Sequence, residues 1–369
     1  MELSPFRIER FYAQYEHTTR FMLSSSDCQS RTIADLLELE PGAHERLLEC
    51  WCGYTEPPGA PALRQAIASV YERTGAAEVV VTSCAEEGIF LLYHALLRPG
   101  DHAIVETPCY ESALQLARST GADVSQWRRR YEDGWAHDLD ALARLIRPET
   151  RMLYLNQPHN PTGTLMARPV FEHVIGLARD HGLILFSDEV YRELEHDPAK
   201  RLPPACDAYE RGVSLGSISK SYGLPGLRIG WIATRDSALR EAVARAEGLH
   251  DRLRERAERV PDRAGAAKPP GSPRPQPRDR AAQPPPARWL LRAARRNLRV
   301  DTPDGKPDRL PRVTGMGDLA QYCARLAGIG VLLLPGSVYD EPDHVRIGFG
   351  RADMPDALEL LDANLTVSP

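Results

Sequence analysis

Six short apolar runs, each ending in small or polar residues, constrain this chain more than any other feature. They are Glu78-Val79-Val80-Val81, His102 to Glu106, Met152 to Leu155, Gly182 to Phe186, Val213-Ser214-Leu215 and Ile229 to Ala233. Each is short, β-branched or wholly apolar, and reads as a buried strand. Helical patterns follow two of them, Ile89 to Leu97 and Ser237 to about Glu247. Buried strands alternating with helices predict an α/β fold, a doubly wound and mainly parallel sheet. Ligands bind such sheets beyond the carboxyl ends of the strands. The residues just past those ends are therefore the candidate site.

Four of the ends carry recognisable chemistry. After Leu215 come Ser217-Ile218-Ser219-Lys220-Ser221-Tyr222-Gly223, and the next strand resumes at Ile229, so Lys220 belongs on a turn between two buried strands. A lysine walled by hydroxyls and glycines is partly desolvated, which lowers its pKa and makes its amine a nucleophile toward an aldehyde. Ser217, Ser219 and Arg228 suit a dianionic phosphate. After Val81, Thr82 to Gly88 form a strand-to-helix turn of small residues, leaving the first helical amides open to phosphate. Glu86 and Glu87 also suit a helix N-terminus electrostatically. Phe186 is followed by Ser187-Asp188-Glu189-Val190-Tyr191, and a carboxylate at the end of a buried strand needs a partner. Leu155 leads into Asn156-Gln157-Pro158-His159-Asn160-Pro161-Thr162-Gly163, which taken alone is common turn chemistry.

In this order the segments resemble the class I and II aminotransferases, fold-type I enzymes that use pyridoxal phosphate, and the resemblance covers most of the chain. It matches Lys220 to the lysine that tethers the cofactor, Ser217 to the serine three residues before it and Arg228 to the arginine eight residues after it. It implies that the amides of Ala85 and Glu86 hold the phosphate. Tyr110, at the end of Thr107-Pro108-Cys109-Tyr110, would stack on the pyridine ring, contributing roughly 1 kcal/mol beyond burial. Asn160 and Tyr191 would reach the phenolic oxygen, and Asp188 would keep the ring nitrogen protonated. Gly53 to Arg64 is similar to the family segment whose tyrosine, here Tyr54, reaches the phosphate of the other subunit, implying a homodimer. His344-Val345-Arg346-Ile347-Gly348-Phe349-Gly350 resembles the C-terminal arginine motif, with Arg346 forming the bidentate pair with the substrate α-carboxylate. Where most of the family has a glycine near that carboxylate, this chain has Ser24-Ser25-Ser26, making Ser25 and Ser26 candidate substrate contacts. The same departure occurs in a subset that includes capreomycidine synthases.

The implied activity is transfer of an amino group from an L-amino acid to a 2-oxoacid. A pyridoxal-phosphate lyase or cyclase acting on a β-hydroxyarginine is the alternative, since loss of a β-substituent uses the same residues. A regulator with an aminotransferase-like domain would need a DNA-binding helix-turn-helix ahead of residue 1. Apolar content of 42% and a net charge of −5 fit an ordinary soluble globular protein. There is no apolar signal core, nor a run near the ~18 residues of a membrane span, so a cytoplasmic protein without membrane or nucleic-acid partners is expected. Seven scattered cysteines argue against a disulfide framework, and Cys50-Trp51-Cys52 lacks the second pair a zinc site needs, so no metal is expected.

One stretch breaks the pattern. Asp251 to Leu310 holds 14 arginines and 11 of the chain's 31 prolines, yet no Ile, Phe, Met or Tyr. Such a composition cannot bury a core, and Pro284-Pro285-Pro286 cannot join a helix. The family has its long inter-domain helix here. The stretch resembles translation in a wrong reading frame, entered near Leu249 and left near Pro311, and a chain carrying it is expected to be weakly active or inactive. A basic disordered insert or a natural linker would have left the family's helix in place. The expected organisation is an N-terminal arm and part of a small domain over residues 1–40, and a cofactor-binding domain over 41–247. The anomalous segment follows over 248–311, and the rest of the small domain over 312–369.

Overall fold

The computed structural model describes residues 4–51, 53–247, 310–313 and 317–364. Its centre is a seven-stranded sheet in the order β1-β7-β6-β5-β4-β2-β3. The strands are β1 (Val79–Thr82), β2 (His102–Thr107), β3 (Asp123–Arg128), β4 (Thr150–Asn156), β5 (Ile184–Asp188), β6 (Gly212–Ser217) and β7 (Gly230–Ala233). All pairings from β3 to β6 are parallel, whereas β7 runs antiparallel to both β6 and β1. A parallel neighbour needs a crossover that carries the chain back along the sheet, usually a helix. The link from β6 to β7 contains only a 3-10 turn, Pro225–Leu227, so the chain reverses there. Lys220 sits on that reversal. The six apolar runs became β1, the edge strand at one side, and the five inner strands. β3, with the polar sequence Asp-Val-Ser-Gln-Trp-Arg, is an edge strand whose side chains are largely solvated.

Helices cover both faces. Four precede the sheet: α1 (Arg7–Tyr15), α2 (Ile33–Leu37), α3 (Ala43–Leu48) and α4 (Pro61–Ala68). Among the described residues five alternate with the strands, α5 (Ala85–Leu96), α6 (Glu111–Ser119), α7 (Leu139–Leu145), α8 (Arg168–Asp180) and α9 (Ala205–Ala208), and α10 (Ser237–Glu247) follows β7. Along β4 successive side chains point to opposite faces. Tyr154 joins Leu92, Tyr93 and Val243 of α5 and α10, while Leu153 and Leu155 join Leu142, Phe171 and Val174 of α7 and α8. That two-sided burial is why the inner strands are continuously apolar. Each fully buried side chain of this kind contributes roughly 1.5–3 kcal/mol.

A second core draws on both ends of the chain. Phe21 and Leu23 pack with Val313, Val331, Val345 and Ile347, and with α11 (Leu319–Gly328) and α12 (Met354–Asn364). Phe21 bridges Val331, and the Gly348 amide donates to the Leu23 carbonyl at 2.7 Å. After α11 the chain bridges Phe21 at Val331 and then forms β8 (Leu334–Pro335), paired with β9 (Val345–Arg346). Pro335 has no N–H with which to extend the ladder. After the arginine-rich stretch the chain rejoins the fold at Leu310, which is fully buried, and the Val345 amide donates to Pro311. Apart from those two residues, the segment 248–311, expected to be unpacked, lies outside the described residues. Among the described residues no helix is long and apolar enough to cross a membrane.

Candidate active site

Asp188 closes β5 directly beside Asn156, the last residue of β4. It is only 6% exposed. Its Oδ1 accepts from the Val190 amide at 3.2 Å and its Oδ2 from the Tyr154 hydroxyl at 3.1 Å. Burial pushes its pKa up to about 6, against the opposing pull of those two donors and of Lys220. The half-buried Lys220 ammonium donates to Ser26 Oγ at 3.3 Å, which brings the N-terminal serine stretch over the β6–β7 reversal. Among the described residues no ion pair neutralises Asp188.

Some of the phosphate-binding candidates lie beside it, at the start of α5 and the end of β6. α5 starts at Ala85 with no side-chain cap from Cys84. Glu87 folds back instead, accepting from the Ser83 amide at 2.7 Å and the Ser83 hydroxyl at 2.6 Å. The Ala85 and Glu86 amides therefore belong to an N-terminus that no capping side chain claims. A Cβ on Gly230 would lie 2.5 Å from the Cys84 carbonyl carbon and 2.6 Å from the Ala85 nitrogen, so only glycine lets β7 approach this turn. Ser217 Oγ donates to the Ile229 carbonyl at 3.0 Å and pairs with the Ser219 hydroxyl at 2.9 Å. Arg228 stands apart: it adopts left-handed backbone, is exposed, and donates to the Pro225 carbonyl at 3.0 Å. Tyr54 is 74% exposed.

Arg346 is 3% exposed and reaches the site from the far end of the sequence. Its Nε and Nη2 donate to the Ser24 carbonyl at 3.1 and 3.0 Å, and Nη2 also donates to the Tyr12 hydroxyl at 2.5 Å. Its Nη1 donates to the Tyr339 hydroxyl and, at 3.4 Å, to Asn160 Oδ1. Burial opposes its charge, but the oxygens of Tyr12, Tyr339 and Tyr191 outweigh that and hold its pKa above the ordinary arginine value. Tyr12 and Tyr339 lie outside every motif in the sequence, and nothing in their spacing marks them. Of the three serines, Ser24 meets Arg346 through its backbone and Ser26 meets Lys220. Ser25 turns away, donating to Asp27 and accepting from Arg351 at 3.3 Å. A Cβ on Gly348 would sit 1.6 Å from the Ser25 carbonyl oxygen, so the arginine motif and the serine stretch can meet only through glycine.

The turn bearing Asn160 is braced from below. The Asn160 amide donates to Asn156 Oδ1 at 2.7 Å, and Asn156 Nδ2 donates to the Asp188 carbonyl at 2.9 Å. Buried Glu106 accepts from the Asn156 amide at 3.0 Å, from Arg129 at 3.1 Å and from His137 at 2.8 Å. Tyr110 donates to Glu9 Oε1 at 2.7 Å and lies edge-on to Phe6, with ring centroids 5.4 Å apart. Glu86 is more than a helix-terminus residue. Burial, with Asp188 and Glu9 nearby, pushes its pKa up to about 7 while Ser112 opposes.

Lys220 at the strand reversal, the buried carboxylate of Asp188 on the neighbouring strand and Arg346 supplied by the second core thus meet around one end of the sheet. The family model "Aminotransferase class I and II" matches residues 23–249, and the chain belongs to that family, whose members use pyridoxal phosphate. Among curated proteins it is 34% identical to capreomycidine synthase of Streptomyces vinaceus over 333 residues, covering 89% of this chain and 84% of that one. It is 35% identical to an arginine–pyruvate transaminase of Pseudomonas aeruginosa over 220 residues, covering 57% of this chain and 54% of that one. Among solved structures it is similar to the pyridoxal-phosphate-dependent cyclase OrfR, with a TM-score of 0.82, 26% identity and coverage of 99% and 98%.

Proposed function

We propose that the chain transfers the amino group of an L-amino acid to a 2-oxoacid, with Lys220 holding pyridoxal phosphate and Arg346 docking the substrate α-carboxylate. The observation that carries the reading is Arg346, a buried guanidinium whose partners among the described residues are carbonyls and hydroxyls, with no carboxylate. A buried charge lacking a counter-ion is strongly unfavourable, and a substrate carboxylate supplies one. The residues also fit the cofactor, for which Asp188 offers a buried, unneutralised carboxylate and α5 its uncapped amides.

When bound, the cofactor supplies an electron sink for a carbanion at the substrate Cα. Asp188 would hold a proton on the ring nitrogen. Ala85 and Glu86, with Ser217 and Ser219, would hold the phosphate, Arg228 joining them once its side chain leaves the Pro225 carbonyl, while Tyr110 would lie beside the ring and Asn160 and Tyr191 would reach the phenolic oxygen. Arg346, with Tyr12 and Tyr339, would orient the Cα–H bond toward the Lys220 amine, which would take that proton and deliver it to the cofactor instead of back to Cα, as amino-group transfer requires. On the same reading residues 41–247 form the cofactor-binding domain, and residues 1–40 and 312–369 the small one. A homodimer completes the phosphate site through Tyr54, and the exposed Leu48, Trp51 and Tyr54, at 75%, 72% and 74%, provide an apolar surface for it. The test is incubation with an amino-acid and 2-oxoacid panel, products identified by mass. Absence of any new 2-oxoacid from every donor defeats the reading.

A second reading is cyclisation of a β-hydroxyarginine. Two observations favour it: similarity to capreomycidine synthase along most of both chains, and the Ser24-Ser25-Ser26 stretch against Lys220 and Arg346. Including β-hydroxyarginine in the panel separates the two, since cyclisation yields an amino acid lighter by one water and no 2-oxoacid.

A further inference from the structure

The docking of a carboxylate on Arg346, as read above, depends on Tyr12, and Tyr12 depends on how α1 is held. α1 lacks a local cap: Phe6, the residue before it, offers no side-chain acceptor. Its first amides are instead satisfied from 104 residues away. Glu111, 5% exposed at the start of α6, accepts from the Arg7 amide at 2.7 Å and the Ile8 amide at 3.4 Å through Oε2. Its Oε1 accepts from Arg7 Nε at 3.1 Å. Arg7 continues to Asp340 at 2.8 Å and to the Ser337 carbonyl at 3.1 Å, flanking Tyr339. A carboxylate at a helix N-terminus gains both from the orphan amides and from the helix dipole.

Ile8, 1% exposed, also grips the protein against Trp135, Val338 and Tyr339. Apolar contact is non-directional, however, and does not fix the rotation of a helix about its axis. The carboxylate does, because it takes two named amides and one guanidinium. Rotation matters here, since one residue corresponds to about 100°. α1 touches the site at Glu9, on Tyr110, and at Tyr12, on Arg346 and the Ser24 carbonyl; these residues are three apart and share a face.

We propose that Glu111 is a positioning residue for substrate binding: by capping α1 it sets the helix rotation that keeps Tyr12 on Arg346. The probe is propionate, an amino acid skeleton without the amino group, with its dissociation constant read by calorimetry on the whole chain. Arg346→Ala should abolish binding, and Tyr12→Phe should weaken it about tenfold, the scale of one hydrogen bond to a charged group. Glu111→Ala should weaken it by a similar factor. Glu111→Gln, which keeps an acceptor for the amides, should fall between Glu111→Ala and the parent and provides the reading if the alanine variant fails to fold. The double variant Glu111→Gln with Tyr12→Phe should bind no more weakly than Tyr12→Phe alone, because both act through one contact. Trypsin should cleave after Arg10 faster in both Glu111 variants. Additive losses in the double variant, or parental affinity in the folded Glu111 variants, overturn the proposal. If the parent does not bind propionate, or Arg346→Ala binds it normally, the docking of carboxylate on Arg346 fails first and takes this proposal with it.

Discussion

Replacing Asp188 by Asn should make the cofactor-free protein more stable while removing its activity. Burial raises the Asp188 pKa from its ordinary 3.8 to about 6. Each pH unit between folded and unfolded values is worth 1.36 kcal/mol, so the charged carboxylate costs the folded chain about 3 kcal/mol. The sign follows from proton uptake. Between pH 3.8 and 6 the folded state binds the extra proton, so the cost is absent below about pH 3.8 and complete above about pH 6. Asn keeps the local hydrogen bonds, since its carbonyl can accept from the Val190 amide and its NH2 can donate to the Tyr154 oxygen. At pH 8 the variant should therefore be more stable than the parent by about 2–3 kcal/mol, a rise of several degrees in thermal midpoint. At pH 4 the two should nearly coincide. The assay is thermal unfolding of both cofactor-free proteins across that range. Turnover of the variant should drop by several orders of magnitude, because nothing then holds the proton on the ring nitrogen. A variant destabilised equally at pH 4 and pH 8 would refute the electrostatic account and make Asp188 a packing residue.

Three further outcomes are expected. Gly348→Ala should lose several kcal/mol of stability together with carboxylate binding, because the new methyl overlaps the Ser25 carbonyl; a chemical-denaturation curve matching the parent's would contradict this. If Tyr54 completes a second copy's phosphate site, cofactor retention should fall on dilution, and Trp51→Glu should leave a monomer in sedimentation that releases cofactor; a monomer that keeps it tightly rules the dimer role out. Resequencing the gene should reveal compensating single-base changes near the codons for Leu249 and Pro311, and the frame-restored protein should be the more active one; an intact frame with a fully active protein makes the stretch a natural linker.

The sheet was legible from residue order because its inner strands are buried on both faces, which demands continuous apolar runs of strand length. The same logic puts Lys220, Asp188 and Asn160 at or just past strand ends, where α/β sheets bind ligands, and that is where they lie along the chain. Edge strand β3 was not legible: one solvated side relieves Asp123 to Arg128 of any apolar pattern. The antiparallel entry of β7 was written only in the shortness of the Ile218–Ile229 link. The surroundings of Arg346 were decided by tertiary structure alone. Tyr339 comes from seven residues before Arg346, but Tyr12, Ser24 and Asn160 come from far along the chain, and a hydroxyl that meets a guanidinium across 334 residues leaves no periodicity or spacing behind. Lys220 and Asp188 depend on backbone that each strand end builds for itself, whereas the Arg346 pocket depends on how two cores, one drawing on both chain ends, come to rest against each other.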